Sequence, residues 1–402
     1  MEWKLKDLTV DGKGSYGIGA SAVPYQEDKL TYLRITDIND DGSLNFSDLK
    51  SVDAEDAEKY ILKENDIVFA RTGNSTGRSY SYEKQHGTFV YAGFLIKFSL
   101  DPNKVNPRIL KYYTHSKPYY DWVSSFDTGA TRGNINAKTY GDMEIELPSR
   151  KIQDRIVSIL SSLDRKIELN NKINADLEEM AQAIFKNWFV DFEPFKDGKF
   201  VNSELGMIPE GWKVGTLTDV IKLMPGGTPK TSEPLYWENG TIPFFSPKDV
   251  SGLYCFETEK HITEAGLNKC SSNLYPKDTI FITCRGTVGK VCLTACNMAM
   301  NQSNYAIKAM DGYSQYYVYY LVKSVVERLI KKSNGAVFSA ITSKDFDEEI
   351  LIPSKKAVED FTNVIDGFFR RIVTIGSENS HLSLLRDTLL PRLMSGELEV
   401  PE

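Results

Sequence analysis

Two stretches of this chain place mostly apolar residues at a strict 4,3 spacing. In the first, Ile156, Leu160, Leu163, Ile167, Asn170, Asn174, Leu177, Ala181 and Ile184 follow one another in steps of 4 and 3. In the second, Phe361, Ile365, Phe368, Ile372, Ile375, Asn379, Leu382, Arg386 and Leu389 do the same. A sustained 3.5-residue repeat specifies a coiled-coil seam rather than an ordinary amphipathic surface helix. A helix of about 35 residues is roughly 50 Å long, and it cannot bury such a stripe alone. The economical expectation is that the two helices pair antiparallel within the chain. Asn174 and Asn379 occupy equivalent seam positions, where a buried asparagine lowers stability but fixes register.

The stretch before each helix reads differently. Short β-like runs such as Ile67-Val68-Phe69-Ala70 and Thr279-Ile280-Phe281-Ile282 are punctuated by Gly, Asn and Ser. These stretches also repeat each other. Trp3-Lys4 recurs as Trp212-Lys213, and Asp37, Asp66 and Gly77 recur as Asp249, Asp278 and Gly289 at a shared offset of 212 residues. Leu147-Pro148-Ser149-Arg150-Lys151 and Ile352-Pro353-Ser354-Lys355-Lys356 then open the two helices. The expected fold class is α+β, with two β-rich domains separated by two long helices in an antiparallel intramolecular coiled coil, pseudo-twofold. The expected boundaries are 1–148 and 208–353 for the domains, 149–192 and 354–394 for the helices, 193–207 for a linker and 395–402 for a tail.

Composition narrows the class. Of 402 residues, 41% are hydrophobic and 26% charged, which suits folded domains and excludes disorder. The longest apolar candidate, Tyr316 to Val322, is too short for a membrane span, and the residues from Met1 to Asp7 have no signal-peptide core. Five cysteines, all in the second half, form neither an even disulfide framework nor a CxxC metal pattern. A cytoplasmic protein with reduced thiols and no metal is expected. The net charge of −7 argues against a stand-alone nucleic-acid binder but leaves room for local basic loops.

Further segments carry a family likeness. Gly226-Gly227-Thr228-Pro229-Lys230, Tyr236-Trp237, Ile262-Thr263-Glu264-Ala265-Gly266-Leu267, Arg285-Gly286-Thr287-Val288-Gly289-Lys290 and Asn301-Gln302 come in order. Ala183 to Phe192 and Leu389 to Leu398 look like two helix-end signatures. Together with the duplicated heptads, the chain resembles the specificity (S) subunit of type I restriction–modification systems over almost its whole length. The resemblance implies two target recognition domains, each reading half of a split double-stranded DNA target. It implies spacer helices that dock two methyltransferase (M) subunits, with restriction (R) subunits beyond them. S-adenosylmethionine, ATP and Mg would belong to those partners, and no cofactor to this chain.

The residues themselves show little catalytic chemistry. Asn106-Pro107-Arg108 and Asp101-Pro102-Asn103 fall short of the Asn/Asp-Pro-Pro-aromatic motif of adenine methyltransferases. Gly286 to Lys290 fails the phosphate-loop spacing, since Cys284 and Val291 stand where Gly and Ser/Thr are needed. The recurring carboxylates Asp37, Asp66, Asp249 and Asp278 are read as turn caps. A non-catalytic reader is expected; a coiled-coil adaptor with protein-binding ends is the alternative.

Sequence readout needs side-chain donors in loops plus cations for phosphate. In the first half the candidates are Arg71, Thr72, Asn74, Ser75 and Arg78 in one loop, and Thr131, Arg132, Asn134 and Lys138 in another. In the second half they are Arg285, Thr287 and Lys290, then Ser339 and Lys344. The second pair of loops differs enough between halves to suggest two different half-sites. Acidic residues on the helices (Glu168, Asp176, Glu178, Glu179, Glu359, Asp360, Asp366) are expected to face solvent or basic partner surfaces.

Overall fold

The computed structural model describes residues 1–126, 133–332 and 340–400. The chain divides into two compact units. The first comprises Met1–Lys166 and Leu382–Glu402, and the second Ile167–His381. Each contains one β-rich domain and a portion of both long helices.

The helices span Arg150–Phe189 and Lys355–Met394. At the first Pro-Ser step the Gln153 amide donates to the Ser149 carbonyl at 2.9 Å, the first bond of the helix ladder; at the second, Ser354 caps the helix, its Oγ accepting from the Ala357 amide at 3.2 Å. The second helix runs through Pro391 for three further residues, ending in a turn where the Ser395 amide donates to the Pro391 carbonyl at 3.0 Å.

In the first unit, Ile156, Val157 and Leu160 join Leu390 and Leu393 in a core with Leu5, Phe69, Phe98 and Tyr119. In the second, Asn170 meets Asn379, while Phe185 and Phe189 pack on Phe361 at ring distances of 6.0 and 5.0 Å. Partner numbers fall as residue numbers rise, so the helices are antiparallel there. In the second unit the seam departs from the heptad reading. Phe185 and Phe369 are buried, while the heptad residues Ile184 and Phe368 are half-buried. The helices there must also cover the domain core, including Tyr317 and Tyr320. Arg386, at a seam position, is held by Asp164 at 3.1 Å.

The two domains repeat one topology. Short strands Glu2–Lys4 and Glu144–Glu146 pair antiparallel, as do Lys213–Thr216 and Glu349–Ile352. Strands Thr31–Leu33 and Phe89–Tyr91 run parallel, as do Ile242–Phe245 and Ala299–Met300. Central strands Asp66–Ala70 and Ile280–Thr283 each lie between two antiparallel neighbours.

The structure moves the central-strand match by one residue. Ile67 and Phe69 face the helix-side core of the first unit; Ile280 and Ile282, not Phe281, face that of the second. Left-handed residues open both strands, Asn65 (φ 70°) and Asp278 (φ 64°). Asn65 is therefore the structural counterpart of Asp278, at an offset one larger than Asp66 suggested.

The interdomain segment is more than a linker. Phe200–Ser203 and Gly206–Pro209 form a hairpin, and Ile208 and Trp212 are buried in the second unit's core. Trp212 lies 5.4 Å from Phe192 and 5.2 Å from Phe195, ring to ring.

Candidate nucleic-acid interface

Each domain brings two loops together at the end of its central strand. In the first, the Arg71 amide donates to the Phe94 carbonyl (3.1 Å) and the Ile135 amide to the Arg71 carbonyl (3.0 Å). In the second, the Cys284 amide donates to the Ser303 carbonyl (2.8 Å) and the Ile341 amide to the Cys284 carbonyl (3.0 Å). The same backbone node thus joins loop 71–78 to loop 133–138 and loop 284–290 to loop 340–344. The glycines shape both first loops. Gly77 (φ 88°) and Gly289 (φ 84°) sit against the following helix, where an added Cβ would lie 2.6 Å from Val123 Cγ1 and 3.0 Å from Val326 Cγ1. A side chain there would be strained twice, by backbone and by space.

The candidate residues separate. Arg71 is half-buried, with its guanidinium carbon 5.0 Å above the Tyr16 ring and its Nε donating to Asn134 Oδ1 in a long contact of 3.5 Å. Thr72 is half-buried and Asn74 exposed, whereas Ser75 is buried. Arg78 is committed to the fold: Nε donates to Asp40 Oδ1 at 2.7 Å and Nη1 to the Ile38 carbonyl at 3.0 Å. Lys138 is exposed on the short helix Ala137–Gly141. Thr131, Arg132 and Ser339 lie outside the described residues.

In the second domain Arg285, Thr287, Lys290 and Lys344 are exposed. The loop is stitched by Thr283, whose hydroxyl donates to the Thr287 carbonyl and accepts from the Lys290 amide at 3.0 Å. Among the described residues none of Lys138, Arg285, Lys290 and Lys344 has an ion-pair partner, so their charge is available to an anion.

The recurring carboxylates are structural. Asp37 Oδ2 accepts from the Arg34 amide at 2.8 Å, and Asp249 Oδ2 from the Ser246 amide at 2.6 Å, each closing a short 3-10 turn. Asp66 accepts from the Lys63 amide and from Ser99 Oγ, and Asp278 from the Tyr254 hydroxyl at 2.7 Å. Cys255 and Cys284 are buried, which pushes each thiol up to about 12. Glu178, expected to face outward, is half-buried and pairs with Lys323 at 3.2 Å. Asp360 and Asp366 pair on their own helix with Lys356 and Arg370.

Sequence reading missed one cluster and one aromatic. Lys111, Tyr112, Asp164 and Arg386 converge in the first unit, with Asp164 accepting from the Tyr112 hydroxyl at 3.0 Å and lying 3.3 Å from Lys111 Nζ. Their positions span three distant segments, so no local pattern signals them. Tyr16 lies 55 residues before the arginine it supports, and its hydroxyl accepts from the Ala137 amide at 3.1 Å.

Two segments, residues 6–179 and 209–373, match the family model of the type I restriction modification DNA specificity domain. The chain belongs to this family. It is similar to the type I restriction enzyme MjaIX specificity subunit of Methanocaldococcus jannaschii, at 30% identity over 73% of this chain and 69% of that one. It is also similar to the HindI specificity subunit of Haemophilus influenzae, at 25% identity over 85% and 88% of the two chains. In fold it is similar to the crystal structure of a type I system S subunit from M. genitalium, with a TM-score of 0.56 at 16% identity over 98% and 96% of the chains. The chain is thus a type I specificity subunit with two DNA specificity domains, a non-catalytic member of its restriction–modification system. No helix among the described residues is long and apolar enough to cross a membrane.

Proposed function

We propose that this chain reads a bipartite double-stranded DNA target, one half through each specificity domain, and docks two adenine methyltransferase subunits that recruit restriction subunits. The observation that carries the reading is the duplicated loop node. One scaffold, made twice, presents free cations and side-chain donors, with different side chains at matching positions. Phosphate contacts position such loops, and base contacts specify. The partners would supply S-adenosylmethionine, ATP and Mg, and the assembly would work in the cytoplasm. The exposed halves of the long helices are the surface proposed for the methyltransferase subunits. The site residues proposed to face DNA are those of the four loops, with Arg78 and Ser75 set aside because the fold already uses them.

The test is a methylome. The chain is co-expressed with its methyltransferase subunit in a methylation-free host, and native DNA is sequenced for modified adenine. A split motif with an undefined middle is expected. A stable complex that modifies no split motif would favour the adaptor role instead.

A further inference from the structure

The duplicated scaffold allows a position-by-position comparison of the two nodes. Register along the central strands makes Phe69 the counterpart of Ile282 and Arg71 that of Cys284. Arg285 sits one place further on, opposite Thr72. Phe94, whose carbonyl binds the Arg71 amide, corresponds to Ser303, whose carbonyl binds the Cys284 amide. Asn134 precedes Ile135 as Ala340 precedes Ile341. Tyr16 pairs with Ile96, the partner of Phe69; Pro225 pairs with Tyr305, the partner of Ile282. The quartet Tyr16, Arg71, Phe94 and Asn134 is thus replaced by Pro225, Cys284, Ser303 and Ala340.

The first quartet forms one constellation. Arg71 lies over the Tyr16 ring, and its Nε is engaged by Asn134. Among the described residues neither terminal nitrogen of Arg71 has a hydrogen-bond partner. Phe94 is 60% exposed beside it, unusual for so large an apolar side chain. A guanidinium held on one face and at Nε presents its two remaining nitrogens as a fork. That fork matches the O6 and N7 acceptors of guanine in the major groove. The second quartet offers no such fork: Cys284 is buried, the alanine and proline side chains carry no donor, and Ser303 carries a single hydroxyl.

We infer that Tyr16, Arg71, Phe94 and Asn134 form a base-reading site of the first domain, in which Arg71 reads a guanine and Tyr16 and Asn134 position it. This rests on the proposed DNA-reading function. The second half-site is read without an equivalent contact, so the two half-sites are chemically unlike at this position.

The experiment uses the complex with its methyltransferase subunit, comparing wild type with Arg71→Lys, Tyr16→Leu and Tyr16→Phe. Methylation rates are measured on duplexes carrying each base pair at every defined position. Arg71→Lys keeps the charge and loses the fork. It should lower the preference for one G·C pair, in one half-site, by roughly 5- to 150-fold, leaving the other half-site unchanged. Tyr16→Leu should relax the same pair, and Tyr16→Phe, which keeps the ring, should restore most of it. Unchanged preference at every position in Arg71→Lys overturns the inference alone, as does an equal loss on all sequences. A wild-type complex that methylates no split target overturns the functional reading and the inference with it.

Discussion

Replacing Asp164 should weaken the hold of both long helices on the first domain's helix Pro107–Tyr113. The carboxylate accepts from Arg386 Nη1 at 3.1 Å and from the Tyr112 hydroxyl at 3.0 Å, and lies 3.3 Å from Lys111 Nζ. Its side chain is 18% exposed, with Arg386 at 26% and Lys111 at 31%. Breaking a fully buried pair costs about 3–5 kcal/mol, and an exposed pair about 0–1 kcal/mol. This site lies between, so Asp164→Ala should cost about 2 kcal/mol. In a unit of this size that lowers Tm by roughly 4–8 °C. Asp164→Asn keeps the shape and an acceptor and should cost less. The sign with pH follows from the charge state. Burial pushes the Asp164 carboxyl up, but Lys111 and Arg386 outweigh it and hold the group below its ordinary value. A depressed carboxyl contributes stability that is present above its unfolded pKa, about 3.9, and is lost as pH falls through the folded value. The gap between wild type and Asp164→Ala should therefore be full at neutral pH and close in acid. Hydrogen exchange at the amides of Lys111 to Tyr113 reads this unit separately from the other. A neutral-pH gap under about 0.5 kcal/mol, or one unchanged in acid, would refute the reasoning.

Three other perturbations test different parts of the structure. Gly77→Ala combines positive φ with a 2.6 Å clash and should destabilise by about 2–3 kcal/mol, whereas Gly286→Ala, with φ 79° and open space, should cost about 1 kcal/mol; equal losses in urea unfolding would contradict the packing argument. Asn170 Nδ2 donates to Asn379 Oδ1 at 2.8 Å, and Asn379 Nδ2 to Asn171 Oδ1 at 2.7 Å. Asn379→Leu alone should cost about 1–2 kcal/mol by stranding these groups, and adding Asn170→Leu should recover it; a strictly additive double mutant, measured in the same assay, would show the pair uncoupled. Converting Arg285, Lys290 and Lys344 to Ala in the assembled complex should lower the slope of log affinity against log salt by about 2–3, and an unchanged slope in a filter-binding titration would place these cations away from phosphate.

The parts of the fold legible in the sequence were those written in short-range periodicity. The heptads gave both helices, because a 3.5-residue repeat has one structural outcome. The recurring Asp37 and Asp249 are legible as caps, because a carboxylate three residues into a turn has a local partner. What escaped was set by register. A match at an offset of 212 places Phe281 where Phe69 stands, yet the pleat turns them to opposite faces. A one-residue slip inverts every side chain on a strand, and sequence identity at Asp66 and Asp278 was enough to hide it. Tyr16 and the Asp164 cluster were invisible for a related reason, since their partners arrive from distant segments.

The duplication turns this limit into a criterion. Two copies of one scaffold must share whatever the scaffold needs to fold. Gly77 and Gly289 share a left-handed backbone against a helix, and Asn65 and Asp278 share the turn into the central strand. These matches follow from folding and would exist whatever the loops bind. A residue that differs between copies at a matched position is released from that requirement. Tyr16, Arg71, Phe94 and Asn134 differ together, and three of them cost the fold something: a half-exposed ring, a guanidinium fork unpaired among the described residues, and an exposed phenyl group. Exposed apolar surface and ordered long side chains oppose stability. A cluster of such costs at one node, absent from its twin, is what a site shaped by a ligand rather than by folding would leave.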